Sequence, residues 1–263
     1  MKIYKEYDTE SLMFNEPCIM DKCTLYPILV SDYKEFSRYV QYLIISKKHL
    51  KIPDEVDLLQ SIIIATIGSY TNGNLDLTND ISRFYMKKVL SDFEKLFSIL
   101  TRKEMHGRVS KDGGFEFVDI IGNKEPSVII NNKNYDDVRK VAIAMACIKE
   151  PKVYDNPIMQ EWYNRYKLSK QNNKLKFGLE DMVIVVSQDM KIMIDDIKKM
   201  NIAQLYAYYN RINHVENYRA VTIFRTVTNK LPNINYIDGV ISGLYEDDDK
   251  DMFIDLGTIG TQL

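Results

Sequence analysis

The chain has 263 residues, of which 45% are hydrophobic and 27% are charged. This balance is typical of a globular protein and excludes a largely disordered, collagen-like or repeat-built chain. A formal charge of -2 leaves no global field that would hold a polyanion or an anionic membrane, so a dedicated nucleic-acid-binding protein is disfavoured. No apolar segment approaches the roughly 20 residues needed to cross a bilayer, so no membrane partner is expected. The odd number of cysteines, three, favours a reducing compartment.

The first 30 residues predict an extended arm, because Pro17 and Pro27 interrupt any helical periodicity. A short hairpin is expected within this arm, around residues 20–22. Helices are then predicted, from apolar side chains at helical spacing, over residues 31–49, 54–69 and 78–101.

The hydrophobic period changes after residue 101. The turn signal Asp112-Gly113-Gly114 lies between short apolar runs, so residues 104–131 predict a three-stranded antiparallel meander. Asn134 followed by Asp137 resembles a capping box and predicts the start of a helix that Pro151 ends. Further helices are predicted over residues 158–172, 178–190, 193–200 and 202–228.

These elements predict an α+β class that is predominantly α-helical, with two helical halves flanking a small antiparallel β meander. The predicted organisation is an N-terminal arm with a helical half over residues 1–101, a β insert over 102–133, and a C-terminal helical half with an acidic tail over 134–263. The two halves are expected either to stand as separate domains or to share one core.

The sequence offers no recognisable reaction centre. It lacks the G-x-S-x-G motif and the glycine-rich phosphate-binding loops, and its histidines, His49, His106 and His214, lie in no catalytic motif. Cys18 and Cys23 have no second pair to complete a zinc site. We therefore predict no catalytic residue, no metal and no cofactor. A small hydrolase with an unrecognised site, built from converging Asp, Glu or His residues, remains an alternative.

An acidic run lies near the C-terminus, over residues 246–255. Its alternate aspartates have the spacing of a calcium loop, but Met252 takes the place of the glycine and Thr258 that of the bidentate glutamate. We therefore predict a solvated acidic loop, for which the functional alternatives are casual cation binding and docking to a basic partner.

A basic stretch over residues 165–176 contrasts with this acidic run, and it contains no acidic residue. Three interpretations of this contrast are open: both segments simply face solvent, they pair with a neighbouring subunit or an assembly partner, or the basic stretch binds nucleic acid weakly. Aromatic residues are concentrated at two places, beside the start of the basic stretch, where the tryptophan lies among tyrosines, and near residue 208. These rings serve either core packing or an interface.

Two parts of the chain carry a resemblance to a known group of proteins. The segment Cys18 to Tyr33, with Tyr26-Pro27 before an aromatic helix, resembles the N-terminal entry of tail morphogenesis proteins from phages of low-GC Gram-positive bacteria. Residues 134–140, 157–166 and 179–183 resemble the helical part of baseplate hub or tail-assembly proteins in large contractile-tailed phages.

This resemblance implies a non-enzymatic protein that joins the baseplate hub or acts as a chaperone of hub and tail assembly. Its partners would be other tail or baseplate proteins, or another copy of the chain. It would lie in the host cytoplasm during assembly, or in the virion. The partner-binding residues predicted from the aromatic and charged clusters are Tyr26, Trp162, Tyr163, Arg165, Tyr166, Lys167, Lys170, Tyr208, Tyr209, Asp247, Asp248 and Asp249.

A different class of function, a cytosolic DNA-binding or regulatory protein, would use the basic residues of 165–176. It predicts binding that weakens steeply as the salt concentration rises.

Overall fold

The computed structural model describes residues 2–5, 7–71, 80–110, 112–120, 125–172, 178–228 and 236, with only the backbone described for residues 2 and 169–172. The fold is α+β and mostly helical, as the sequence predicted. The strands are β1 Lys2–Tyr4, β2 Tyr7–Asp8, β3 Cys18–Met20, β4 Cys23–Leu25, β5 His106–Val109, β6 Phe115–Val118 and β7 Ile129–Asn131. The helices are α1 Thr9–Met13, α2 Tyr33–Ile44, α3 Lys47–Leu50, α4 Leu58–Tyr70, α5 Asp80–Thr101, α6 Tyr135–Met145, α7 Pro157–Asn172, α8 Leu179–Met190, α9 Ile194–Ile197 and α10 Ile202–Arg225.

The chain forms two compact units. The first comprises Met1–Pro151 with Lys198–Ala203, and the second comprises Lys152–Ile197 with Gln204–Leu263. The boundaries expected near residues 101 and 133 both fall inside the first unit. The meander is therefore part of the first unit's core rather than an insert between two halves.

The predicted meander is confirmed as a three-stranded antiparallel sheet in the order β5-β6-β7. Phe117 of β6 lies 4.9 Å from Phe97 and 5.7 Å from Phe93 of α5, measured between ring centroids. Tyr135 of α6 packs edge-on against the same two phenylalanines. Sheet, α5 and α6 therefore share one aromatic core, which explains why they do not separate into domains.

The first 30 residues are packed into the first unit rather than projecting as an extended arm. They contain two strand pairs and α1, and Leu12, Leu25 and Ile28 are fully buried. The hairpin expected around residues 20–22 is confirmed by the pairing of β3 with β4. After it, Leu29 bridges Asn201, whose side-chain amide donates to the carbonyl of Leu12 over 2.8 Å.

The start of α6 differs from the predicted capping box. The Asn134 side chain makes no cap hydrogen bond; it accepts from the amide of Asn131 and donates to the carbonyl of Ile129, each over 2.8 Å. Asn134 therefore closes the turn between β7 and α6. An asparagine can satisfy a local turn as readily as a helix end, so the spacing alone could not distinguish them.

Two side chains of α6 bind the last carbonyls of α2. The hydroxyl of Tyr135 donates a hydrogen bond to the backbone carbonyl of Tyr42 over 2.9 Å, and the guanidinium of Arg139 donates one to the backbone carbonyl of Leu43 over 3.0 Å. Arg139 is 2% exposed and also pairs with Asp136 and Glu150, each over 3.2 Å. These bonds satisfy carbonyls that the end of a helix leaves without intrahelical partners.

Cys18 and Cys23 are free, buried thiols on the inner face of the β3–β4 hairpin. Cys18 lies opposite Leu25 and Cys23 opposite Met20, so the register does not place the two cysteines opposite each other. Burial raises the pKa of Cys18 to about 11 and that of Cys23 to about 12. Cys147, by contrast, is only half-buried.

In the second unit, Tyr163 of α7 packs against Tyr154 with 5.4 Å between ring centroids, and Val186 of α8 is fully buried. The hydroxyl of Ser187 donates to the carbonyl of Ile192 over 2.8 Å, and Lys191 ends α8 in a left-handed conformation. No helix in the described ranges combines the length and hydropathy needed to span a bilayer.

We expect Arg139→Met to lower the free energy of unfolding by about 2–3 kcal/mol, because the Leu43 carbonyl loses its donor, Glu150 loses its cation, and Asp136 keeps only Lys140. Lys140→Met is the matched control. Lys140 also binds Asp136, over 2.6 Å, but its side chain is 58% exposed, so the loss should stay within about 0.5 kcal/mol. Urea titration measures both. Equal losses would contradict the role given to Arg139.

At pH 8, we expect Cys147 to react with an aromatic disulfide reagent at least about tenfold faster than Cys18 or Cys23, because burial disfavours the reactive thiolate of the latter two. Cys147→Ser should abolish the fast phase. In guanidinium chloride all three thiols should react alike. A fast phase that survives in Cys147→Ser would show that the hairpin opens readily.

The same burial makes stability depend on pH. An ordinary thiol has a pKa of 9.0, whereas in the folded chain the pKa of Cys18 is raised to about 11 and that of Cys23 to about 12. Above pH 9 these two thiols therefore stay protonated in the folded chain and lose their protons in the unfolded chain. The folded state then binds more protons than the unfolded state, so stability falls as pH rises from about 9 through these values. Urea midpoints at pH 8 and pH 10.5 test this. An unchanged or higher midpoint at pH 10.5 would contradict the expectation.

Candidate functional site

Helix α7 has one buried face and one exposed face. Trp162 lies on the exposed face and is 50% exposed, and it is joined there by Ile158 at 64% and Leu168 at 59%. Ile158 and Trp162 are one helical turn apart and share one face, whereas Leu168 lies about 120° around the helix from Trp162. The sequence analysis singled out Trp162 but missed Ile158, although the i, i+4 spacing from Trp162 could have identified it.

The other face of α7 packs within the second unit. Tyr163 is 3% exposed and its hydroxyl accepts a hydrogen bond from the amide of Lys152 over 3.4 Å. The ammonium of Lys167 lies 4.9 Å from the centre of the Tyr163 ring, and Tyr166 is half-buried. Tyr163 therefore belongs to the packing of the unit and is not available to a partner.

The basic stretch is less uniformly positive than its sequence suggests. Arg165 forms an ion pair over 2.6 Å with Glu161, one turn earlier, and both side chains are exposed. Lys167 is engaged by the Tyr163 ring. Lys174, Lys176 and the side chain of Lys170 lie outside the described part of the chain. The described residues therefore present a mixed-charge helix surface beside Trp162.

Helix α10 carries a second exposed apolar stripe. Ile223, Phe224 and Val227, in its last turn and just beyond, are 66%, 59% and 81% exposed. With Ala220 they follow the i, i+3, i+4, i+7 spacing of one helix face. Sequence analysis predicted Tyr208 and Tyr209 instead; Tyr208 is 38% exposed and Tyr209 half-buried.

The opposite face of α10 is occupied by the chain itself. The guanidinium of Arg211 lies 4.7 Å from the Tyr236 ring and donates to the Tyr236 carbonyl over 2.7 Å. Tyr218 meets the same ring edge-on at 5.2 Å. The contacts with Tyr236 therefore lie on one face of α10, and the exposed stripe that contains Phe224 lies on the opposite face.

Tyr26 lies in the first unit, whereas α7 and most of α10 belong to the second. Its amide donates to the carbonyl of Leu100 over 2.7 Å, and the guanidinium of Arg102 lies 4.7 Å from its ring. Tyr26 is therefore tied to the end of α5 and half-buried. Asp247, Asp248 and Asp249 of the acidic run lie outside the described residues.

Two hydrogen-bonded groups resemble parts of a catalytic site. The Ser46 hydroxyl lies 2.7 Å from Nδ1 of His49, but this pair is the capping box that begins α3. Lys103 binds Asp119 over 2.8 Å and also contacts the Ser127 hydroxyl.

Asp119 is an anchor for the loop between β6 and β7 rather than a base. It accepts from the amides of Ser127 and Val128, over 2.9 and 3.0 Å. Burial favours the protonated carboxyl, but Lys103, Ser127 and the Val128 amide outweigh it and hold the pKa of Asp119 well below its usual range. A permanently ionised, fully bonded carboxylate cannot exchange a proton near neutral pH.

The described residues bring together no group of three or more His, Cys, Asp or Glu side chains that could hold a metal ion. Two open cavities of about 210 and 170 Å³ lie beside the turn between β7 and α6. They share Asn131 and Lys133 in their walls and have mixed polar linings.

Comparison with known proteins finds similarity for part of the chain. Residues 169–236, from the end of α7 through α10, match the family described as the YomV second domain. Over 112 residues, the chain is 33% identical to the "SPbeta prophage-derived uncharacterized protein YomV" of Bacillus subtilis (strain 168). That alignment covers 43% of this chain and 47% of the relative, so the chain matches about half the length of the curated protein. No solved structure matches the chain.

Proposed function

We propose that this is a phage-encoded protein that works through protein contacts in tail or baseplate assembly, as a hub component or as an assembly chaperone. The observation that carries the proposal is the exposed stripe of Ile223, Phe224 and Val227 on α10, within the region similar to the YomV second domain. A contiguous apolar stripe in water favours association, because a partner that covers it removes that surface from solvent.

The α7 surface supports the same proposal. Trp162 and Ile158 place a large ring one turn from an aliphatic side chain, Leu168 is exposed further along the helix, and the Arg165–Glu161 ion pair lies between them. An apolar centre with a charged rim, containing tryptophan and arginine, is the composition of many protein interfaces. The prophage origin of the relative supports a phage setting, and the tail or baseplate role follows from the resemblance described above.

The proposal gives the protein no catalytic activity. The Ser–His and Lys–Asp–Ser groups of the first unit serve a helix cap and a loop anchor, in geometries that leave no free nucleophile and base pair. The proposed partners are other tail or baseplate proteins, and the proposed place of action is the host cytoplasm during assembly or the virion.

The DNA-binding alternative rests on the basic stretch of residues 165–176. Arg165 is already paired with Glu161, and Lys167 lies over the Tyr163 ring with its charge kept, so the described part of this stretch offers one cation beside one ion pair. Few phosphate contacts give weak binding that salt removes. This alternative therefore ranks second.

We expect the tagged full-length protein to co-purify with tail or baseplate proteins from cells in which the phage is replicating. Ile223→Ser/Phe224→Ser should reduce this recovery at least about tenfold, because two exposed anchors are lost. Phe14→Ser/Ile19→Ser is the matched control, since it removes one phenylalanine and one isoleucine that are 69% and 77% exposed. Mass spectrometry with isotope-labelled standards measures the recovery.

The absence of tail and baseplate proteins from the wild-type sample would refute the proposed function. Equal losses in the two double variants would refute the assignment to α10. Presence of the protein in purified virions identifies a hub component, whereas recovery only from cell extracts identifies a chaperone.

A further inference from the structure

The α4 and α5 helices of the first unit carry an exposed aromatic cluster that the sequence analysis did not predict. The rings of Tyr70 and Tyr85 are stacked, with 4.8 Å between their centroids and 4° between their planes. Phe84 meets Tyr85 edge-on at 5.5 Å, and the ammonium of Lys88 lies 5.2 Å from the Tyr70 ring centre. The cluster therefore joins the end of α4 to the first turns of α5.

This cluster presents its apolar side chains to solvent. Phe84 is 65% exposed and Ile81 is 58% exposed, and Tyr70 at the end of α4 is 41% exposed. Residues 81, 84, 85 and 88 have the i, i+3, i+4, i+7 spacing of one helix face. We call the set Tyr70, Ile81, Phe84, Tyr85, Lys87 and Lys88 the α4–α5 patch.

The described charged side chains around the patch are mostly basic. On α4 and the first three turns of α5, Arg83, Lys87 and Lys88 are exposed, against one exposed acid, Asp80, which lies one turn before Phe84. The carboxylate of Asp92, further along α5, is bound to the hydroxyl of Tyr42 over 3.0 Å. In a chain of formal charge -2, the patch is thus a local cationic surface around two apolar anchors.

We propose that the α4–α5 patch docks an acidic segment of a partner protein that also carries apolar side chains. Ile81 and Phe84 would be covered by the apolar side chains of the segment, while Lys87 and Lys88 would face its carboxylates. The stacked tyrosines hold Phe84 in place before binding, so little side-chain freedom is lost on docking. An apolar centre rimmed by charge complementary to the partner gives both affinity and orientation.

Single-stranded nucleic acid is the competing class of ligand. Its bases stack on the free faces of aromatic rings, but here Tyr70 and Tyr85 stack on each other and Lys88 lies over Tyr70. Three basic side chains also neutralise few phosphates. The exposed aliphatic anchor, Ile81, instead favours contact with apolar side chains.

The patch lies in the first unit, whereas the proposed function rests on α7 and α10 of the second unit. Binding at the patch is therefore independent of whether the protein associates with phage tails, and each proposal can fail without the other.

The test is fluorescence anisotropy of the full-length protein with labelled synthetic probes. The main probe is a peptide of about 12 residues that alternates Asp or Glu with Phe, Ile and Leu. One comparison peptide carries Lys in place of the acids, and another carries Ser in place of the apolar residues. An oligothymidine of about 15 nucleotides serves as the nucleic-acid probe. We expect binding of the main peptide with a dissociation constant of about 10–100 µM at low salt.

Phe84→Ser and Lys87→Glu/Lys88→Glu should each weaken binding of the main peptide at least about tenfold. The matched controls are Phe14→Ser, where the phenylalanine is 69% exposed, and Lys34→Glu/Arg38→Glu on an exposed part of α2. Both controls should bind as the wild type does. Circular dichroism melting confirms that the variants are folded.

Three results would overturn the proposal. The first is that the main peptide shows no saturable binding at protein concentrations up to about 1 mM, because a dissociation constant above this value is weaker than that of ordinary peptide docking. The second is equal binding by Phe84→Ser and wild type. The third is tighter binding of the oligothymidine that the same patch substitutions abolish, which would assign the surface to nucleic acid instead.

Discussion

The first unit depends on one aromatic contact set, in which Phe93 and Phe97 of α5 meet Phe117 of the sheet and Tyr135 of α6. All four rings are fully buried. Burial of each phenylalanine side chain contributes about 1.5–3 kcal/mol relative to exposure. Because these rings come from a helix, a strand and a second helix, folding of each element requires the others. The meander is stable only as part of this core.

Helix α2 joins this core through polar and aromatic contacts. Tyr42 stacks on Phe93 at 4.7 Å between centroids, and its carbonyl accepts the hydroxyl proton of Tyr135. The buried Arg139 completes the arrangement by bonding the neighbouring carbonyl of Leu43. A buried cation requires such complete pairing, since an unpaired charge in this position would destabilise the fold. Thus the end of α2 is fixed by side chains almost 100 residues later in the chain.

This division of the chain separates stability from the proposed contacts. In the first unit, large apolar side chains converge on one core, and the α4–α5 patch is a local exception to that burial. In the second unit, α7 and α10 each present an exposed stripe around Trp162 and Phe224. Exposed rings of this kind are the candidates for the protein contacts proposed above.

The sequence by itself determined the class of the fold, the helices with strong apolar periodicity and the three-stranded meander, because these follow from local spacing and from turn residues such as Gly113. It also placed Trp162 among the candidate partner-binding residues, while leaving core packing open for that ring. Only the tertiary structure decided that Tyr163 is buried one residue later, that Asn134 closes a turn, and that the N-terminal segment packs against residues near 201. These outcomes depend on which surfaces meet across long sequence separations, and a local pattern contains no information about the partner of a side chain.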